Sequence, residues 1–241
     1  MINIVIPMAG TGSRFANAGY KKPKPFIDVL GKPMICHVLD NLALPDAKFI
    51  LLARKEHYEA EQATIREIQS KYNTEFVLID KLTEGAACTV LHAHRLIDND
   101  TPLLIANSDQ IVDMAIADYI NDSDKRKLDG SVLCFHDTHN KWSYAKLDKD
   151  GFITEIREKE VISEHATVGI YYFAKGRDFV ENAIDMFVRN ERVNNEFYVA
   201  PVYNYAITHG RKFGIYSIDK NCMHGTGTPE DLDLYIEFRK K

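Results

Sequence analysis

Short apolar runs recur through the first half of the chain, at 2–7, 49–53, 75–79 and 103–106, each bounded by charged or turn-forming residues. Runs of this length, rich in Ile, Leu, Val and Phe, read as strands. Between them the apolar spacing changes to three and four residues, which predicts helices over 34–42, 56–72 and 86–96. Such alternation implies βαβ crossovers and a mainly parallel sheet, with ligands gathered at the carboxyl ends of its strands. On that reading the loop at Gly10 and the turn at Asn107-Ser108-Asp109 share one edge of the sheet.

After Asp129 the pattern changes. Segments 130–136, 144–147, 152–156 and 168–174 read as strands with short connections, so antiparallel pairing is expected there. Asp148-Lys149-Asp150-Gly151 predicts a hairpin turn. Helices over 177–189 and 199–209 and a strand over 212–217 follow. A last helix begins at Pro229 with Thr228 as its N-cap. The expectation is one domain over residues 1–241, with a nucleotide-binding half (1–128) and an acceptor-binding half (129–241). No internal repeat or linker interrupts it, and no hexapeptide-repeat tract is expected.

Composition adds limits. At 241 residues, 45% hydrophobic and 27% charged, the chain suits a soluble protein with a substantial core. A net charge of −5 argues against a general nucleic-acid binder but permits a local basic pocket for phosphates. Cys36, Cys88, Cys134 and Cys222 are scattered, which suggests reduced, buried thiols and neither a zinc site nor a disulfide framework. With no signal-like leader and no run approaching a membrane span, a cytoplasmic location is expected.

The chemistry concentrates near the start. Strand 2–7 runs into Ala9-Gly10-Thr11-Gly12-Ser13-Arg14, then into Lys21-Lys22-Pro23-Lys24-Pro25 and Gly31-Lys32-Pro33-Met34. Two glycines let main-chain N–H groups approach an anion closely, and Arg14 and Lys24 supply fixed positive charge for a polyphosphate. This combination resembles the nucleotidyltransferase family of sugar-1-phosphate nucleotidyltransferases, or NDP-sugar pyrophosphorylases. The resemblance implies a Rossmann-like, three-layer α/β fold of the glycosyltransferase-A type with a mainly parallel mixed sheet. It also implies the activity: a nucleoside triphosphate reacts with a small phosphorylated acceptor and releases pyrophosphate, with Mg²⁺ as cofactor.

By that resemblance Ala9, Gly10, Thr11, Gly12, Ser13, Arg14 and Lys24 hold the triphosphate, and Arg14, Lys24 and Asp109 are the catalytic set. Asp109 is the metal ligand; capping of a following helix is its bland alternative, with Asp113 a first-turn charge. Glu84 and Gly85 belong to the segment that reads the base. Glu158, Lys159, Gly169 and Glu196 belong to the acceptor side. Many relatives place an aspartate before the final Thr-Gly-Thr-Pro run, where this chain has Gly225 after His224. His224 or Asp219 replaces it, or Asp109 and phosphates hold the metal alone. A sugar 1-phosphate is the leading acceptor, and homo-oligomers occur among relatives. Alternatives are a cytidylyltransferase for a non-sugar phosphate or phosphonate, a glycosyltransferase of the same fold, and a non-catalytic nucleotide binder.

Overall fold

The computed structural model describes residues 1–240. In chain order the first half holds β1 (Ile2–Pro7), α1 (Ser13–Asn17), β2 (Asp28–Val29), β3 (Lys32–Pro33), α2 (Met34–Asn41), β4 (Ala47–Arg54), α3 (Lys55–Ala60) and α4 (Gln62–Lys71). It continues with β5 (Thr74–Ile79), α5 (Ala86–Leu91), α6 (His94–Ile97), β6 (Leu103–Ala106), β7 (Gln110–Val112) and α7 (Ile116–Lys125). The second half holds β8 (Gly130–His136), β9 (Ser143–Leu147), β10 (Ile153–Glu158), β11 (His165–Phe173), α8 (Gly176–Val188), α9 (Val202–Thr208), β12 (Phe213–Ile218), β13 (Met223–Gly225) and α10 (Pro229–Arg239).

Strands β5, β4, β1 and β6 pair in that order, all parallel. The long β11 runs antiparallel beside β6, and β8 and then β12 continue beyond it, β12 parallel to β8. Strands β9 and β10 form an antiparallel hairpin attached to β11 at Ala166↔Tyr144. The mainly parallel, mixed sheet expected from the sequence is therefore present.

Both faces of the sheet are covered. Along β1, Ile2, Ile4 and Ile6 enter one apolar layer and Val5 the other; β4 divides Phe49 and Leu51 from Ile50 and Leu52 in the same way. Buried residues of α2, α4, α7 and α10 close the first layer, and those of α5, α8 and α9 the second. Each fully buried Leu, Ile or Phe stabilises by about 1.5–3 kcal/mol relative to exposure. Strands buried on both sides explain why the first-half segments read as unbroken apolar runs.

Several local expectations need revision. The helix expected over 56–72 is two helices, α3 and α4, broken at Glu61 (φ −111°). The one over 86–96 is likewise divided into α5 and α6. No helix follows Asp109: residues 110–112 form β7, which pairs with β13, and α7 starts only at Ile116. Asp113 is therefore not a helix-terminal charge. The helix expected from 199 starts at Val202, after Pro201. No helix among the described residues is long and apolar enough to cross a membrane.

Candidate active site

The loop after β1 turns at Gly12, whose φ of 60° lies in the left-handed region that favours glycine. A Cβ there would also stand 3.3 Å from the Cβ of Lys24. Lys24 itself opens a 3-10 turn, Lys24–Phe26, between Pro23 and Pro25, and buried Phe26 anchors that turn in the core. Prolines on both sides restrict the backbone and aim the side chain. Its ammonium donates to a carboxylate oxygen of Asp109, and both side chains are largely buried.

Asp109 is held from the far end of the chain. Its carbonyl accepts from the Thr226 N–H at 2.8 Å and from the Thr226 hydroxyl at 3.1 Å, and Thr226 is fully buried. Gly227 follows closely; a Cβ on it would come to 3.0 Å from the Asp109 carboxylate. The terminal Gly-Thr-Gly run thus positions the aspartate rather than adding a second one. Thr226 is a site residue that the sequence reading did not single out, although its motif was in view.

Three clefts run in series from Lys24. The first, about 290 Å³, is lined by Gly10, Thr11, Gly12, Ser13, Arg14 and Lys24, with Ser108 and Gly227 closing it. Arg14 is exposed and makes no ion pair among the described residues. The second, about 310 Å³, shares Gly10 and Thr11 with the first and adds Ala9, Thr83, Gly85 and Glu196. The third, about 250 Å³, shares Ala86 with the second and is lined by Asn107, Gln110, Trp142, Ser143, Glu158 and Gly169, with Tyr198 above.

In the third cleft Gly169 has φ 93°, and any side chain on it would collide with Asn107 and Gln110. It lies where the pairing of β11 with β8 shifts register, and its carbonyl accepts the Asn107 N–H at 3.0 Å. Glu158, at the end of β10, accepts a hydrogen bond from the Ser143 hydroxyl. Burial pushes the Glu158 carboxyl above the ordinary carboxylate range, against the Ser143 bond and the Lys159 charge; Glu196 adds to the rise. Lys159, in the left-handed conformation (φ 57°), donates its N–H to Trp142 and its ammonium to the Tyr198 hydroxyl at 2.8 Å. That bond to Tyr198 is the main cause of its raised pKa.

The geometry gathers most of the expected residues and separates a few. Glu84 and Lys159 line none of the three clefts; the Glu84 carboxylate pairs with Arg192 at 2.8 Å and its carbonyl accepts the Phe197 N–H, while Lys159 touches the third cleft only through Tyr198. Glu196 faces the second cleft rather than the third. His224 lines none of the three clefts; its Nε2 bonds Asp113 at 2.6 Å and its ring stacks on Phe238. Asp219 likewise lines none of them and accepts the Asn221 N–H at 2.8 Å. Ser143, Trp142, Thr167 and Tyr198 line the third cleft without any sequence signal beyond their residue types.

Known proteins resemble the chain in sequence and in fold. A mannose-1-phosphate guanyltransferase of Yarrowia lipolytica is 28% identical over 131 residues, covering 54% of this chain and 36% of the relative. The chain spans about a third to a half of the length of the curated relatives it matches. The crystal structure of a nucleoside-diphosphate-sugar pyrophosphorylase from Vibrio cholerae RC9 superposes with a TM-score of 0.82 at 25% identity, over 97% of this chain and 99% of that one. A UDP-glucose pyrophosphorylase solved with UDP-glucose shares the fold, with a TM-score of 0.78 at 19% identity over 100% of both chains. The profile described as "Nucleotidyl transferase" matches residues 4–226, and the chain belongs to that family.

Proposed function

We propose that this protein transfers a nucleoside monophosphate from a nucleoside triphosphate to a small phosphorylated acceptor, a sugar 1-phosphate first among them, and releases pyrophosphate. The observation that carries the reading is the Lys24–Asp109 pair, with Lys24 lining a glycine-loop cleft that continues into a second cleft and, through it, into a third. In this reading the triphosphate lies along residues 10–14, the base enters the cleft beside Gly85, and the acceptor occupies the cleft over Gly169. Both halves of the chain then act as one catalytic unit.

An acceptor phosphate oxygen attacks the α-phosphorus in line, and the bond to the leaving pyrophosphate breaks on the opposite side. No enzyme nucleophile is required; positioning and charge neutralisation do the work. Lys24 leaves Asp109 for the α-phosphate, where its charge counters the charge that builds in the transition state. Arg14 pairs with the outer phosphates. Glu158 accepts from acceptor hydroxyls, and Lys159 approaches the acceptor phosphate.

The donor set for a divalent cation is spare. No group of three or more acidic, histidine or cysteine side chains converges among the described residues. Mg²⁺ fits one carboxylate, because it keeps several waters and completes its shell with substrate phosphates. Asp109 would hold it, and when bound it would neutralise charge on the phosphate oxygens.

A second reading is a cytidylyltransferase for a non-sugar phosphate. The observation favouring it is the aromatic and acidic lining by Trp142, Tyr171, Tyr198 and Glu158, which also suits an ammonium group. Pyrophosphate release with Mg²⁺, crossing five nucleoside triphosphates with pooled sugar 1-phosphates and non-sugar phosphomonoesters, decides between them. Release with one triphosphate only alongside the sugar pool supports the first reading. Release only with the other pool supports the second, and silence everywhere contradicts both.

A further inference from the structure

Outside the three clefts lies a larger one, about 870 Å³, between β10, α9 and the segment joining α8 to α9. It opens onto the third cleft through Glu158 and Tyr198, which line both, and onto the second through Glu196. No step of the proposed transfer uses it. The segment along its rim is conformationally costly: Asn190, Asn194 and Asn195 all have positive φ, of 55°, 48° and 63°. That segment is also tied inward. Phe197 exchanges backbone hydrogen bonds with Glu84 and Ala87, and Arg192 lies over the Phe197 ring at 4.2 Å.

The charges of this cleft are unevenly matched. Arg157 is engaged by Glu155 and Glu160, and Arg192 by Glu84. Among the described residues that leaves Lys146 as the lining cation without an acidic partner, against three carboxylates in no ion pair, Glu158, Glu191 and Glu196, the Lys159 charge acting on the first and last from outside the lining. Tyr205 adds a second sign: it is 7% exposed, lines the cleft, and its hydroxyl, beside the Glu191 carboxylate, completes no hydrogen bond within 3.5 Å. Leaving a buried phenol unpaired is unfavourable, and a bound polar group would offset that. Glu158 and Glu196 also act on each other electrostatically, so a donor placed between them relieves both.

We propose that this outer cleft is a second acceptor subsite, and that it takes a hydrogen-bond-donor-rich extension of the phosphorylated acceptor, carrying hydroxyls or an ammonium. The inference rests on the transferase reading for the phosphate end of that acceptor. Carboxylates and a free phenol recognise donors, and the openings at Glu158 and Tyr198 let one molecule run from the third cleft into the outer one. The acceptor is then longer than a single phosphorylated unit.

The test uses two probe series that differ only in reach. Glucose 1-phosphate is compared with maltose 1-phosphate, and 2-aminoethyl phosphate with 6-aminohexyl phosphate, by pyrophosphate release and by calorimetric titration of the protein alone. In one series the long member should exceed the short one by about tenfold or more in kcat/KM and in affinity, as expected for one or two hydrogen bonds to charged groups. The series that responds tells hydroxyls from ammonium. Glu191→Gln combined with Tyr205→Phe should erase the advantage of the long member and leave the KM for the triphosphate unchanged. Equal values for long and short members in both series, or an advantage that survives the double substitution, overturns the proposal. Tighter, variant-sensitive binding of a long member without any turnover supports the subsite and counts against the transferase reading instead.

Discussion

Small residues, Gly10, Thr11, Gly12 and Ser13, line the loop cleft with Arg14 and Lys24 as its charges, whereas the cleft over β11 is lined by the larger polar residues Glu158 and Tyr198 with Ser143 and Thr167. On the proposed reading one is a triphosphate end and the other an acceptor end, and the two meet different demands. A triphosphate is the same in every nucleotide, so backbone N–H groups and two cations suffice. An acceptor must be chosen among many similar molecules, and side-chain hydrogen bonding on loops and strand ends makes that choice. Substitutions at the first end should therefore cut turnover for all substrates, and those at the second should change which acceptor is used.

The largest effect is expected at Lys24. Lys24→Met should lower turnover about 10²–10³-fold, the usual cost of removing one transition-state donor, while unfolding shifts little. The same substitution frees the Asp109 carboxylate, so Mn²⁺ binding without nucleotide should become detectable by electron paramagnetic resonance. Absence of both changes would remove Lys24 from the site.

Gly12→Val comes next on the same side. A β-branched residue at φ 60°, crowding Lys24, should abolish triphosphate binding in a calorimetric titration. Gly169→Ala offers the counterpart on the acceptor side. Positive φ and collision with Asn107 and Gln110 should cost about 1–3 kcal/mol of stability, read by urea unfolding. The triphosphate affinity should stay near the wild-type value; a parallel loss would blur the division between the two ends.

Glu158→Gln sharpens the comparison most finely. It should raise the acceptor KM about tenfold with little change in the KM for triphosphate. Because burial raises the Glu158 pKa in the folded state, its contribution to stability is fully present at low pH and is lost as pH rises through that folded pKa. The glutamine variant should accordingly melt higher than wild type at pH 7–8, and the difference should shrink as pH falls through the raised carboxylate range. A variant less stable at neutral pH would contradict the burial argument. The smallest effect is expected for His224→Ala, about 1 kcal/mol or less, since its Asp113 bond lies at the surface beside α10.

Much of this was legible in the sequence, for identifiable reasons. The strands of the parallel sheet are buried on both faces, so β1, β4 and β6 stand out as apolar runs. The loop cleft is built from glycine, proline and lysine at fixed spacing, which a linear reading detects. Short pairings were not legible: β7 and β13 lie about a hundred residues apart and contain only three residues each. The same long-range closure hid the role of Thr226, which acts by holding Asp109 and not by its own chemistry. On the acceptor side, Tyr198 and Ser143 take their roles from where β9, β10 and the segment after α8 come together, and neither residue type announces that.

The most direct test of the central claim is exchange of labelled pyrophosphate into nucleoside triphosphate, with and without an acceptor phosphate, in wild type and Lys24→Met. The account predicts label in the triphosphate only when acceptor and Mg²⁺ are present, and loss of most of it in the variant. No exchange by a protein that binds triphosphate and acceptor, or exchange unaffected by the loss of Lys24, would contradict it.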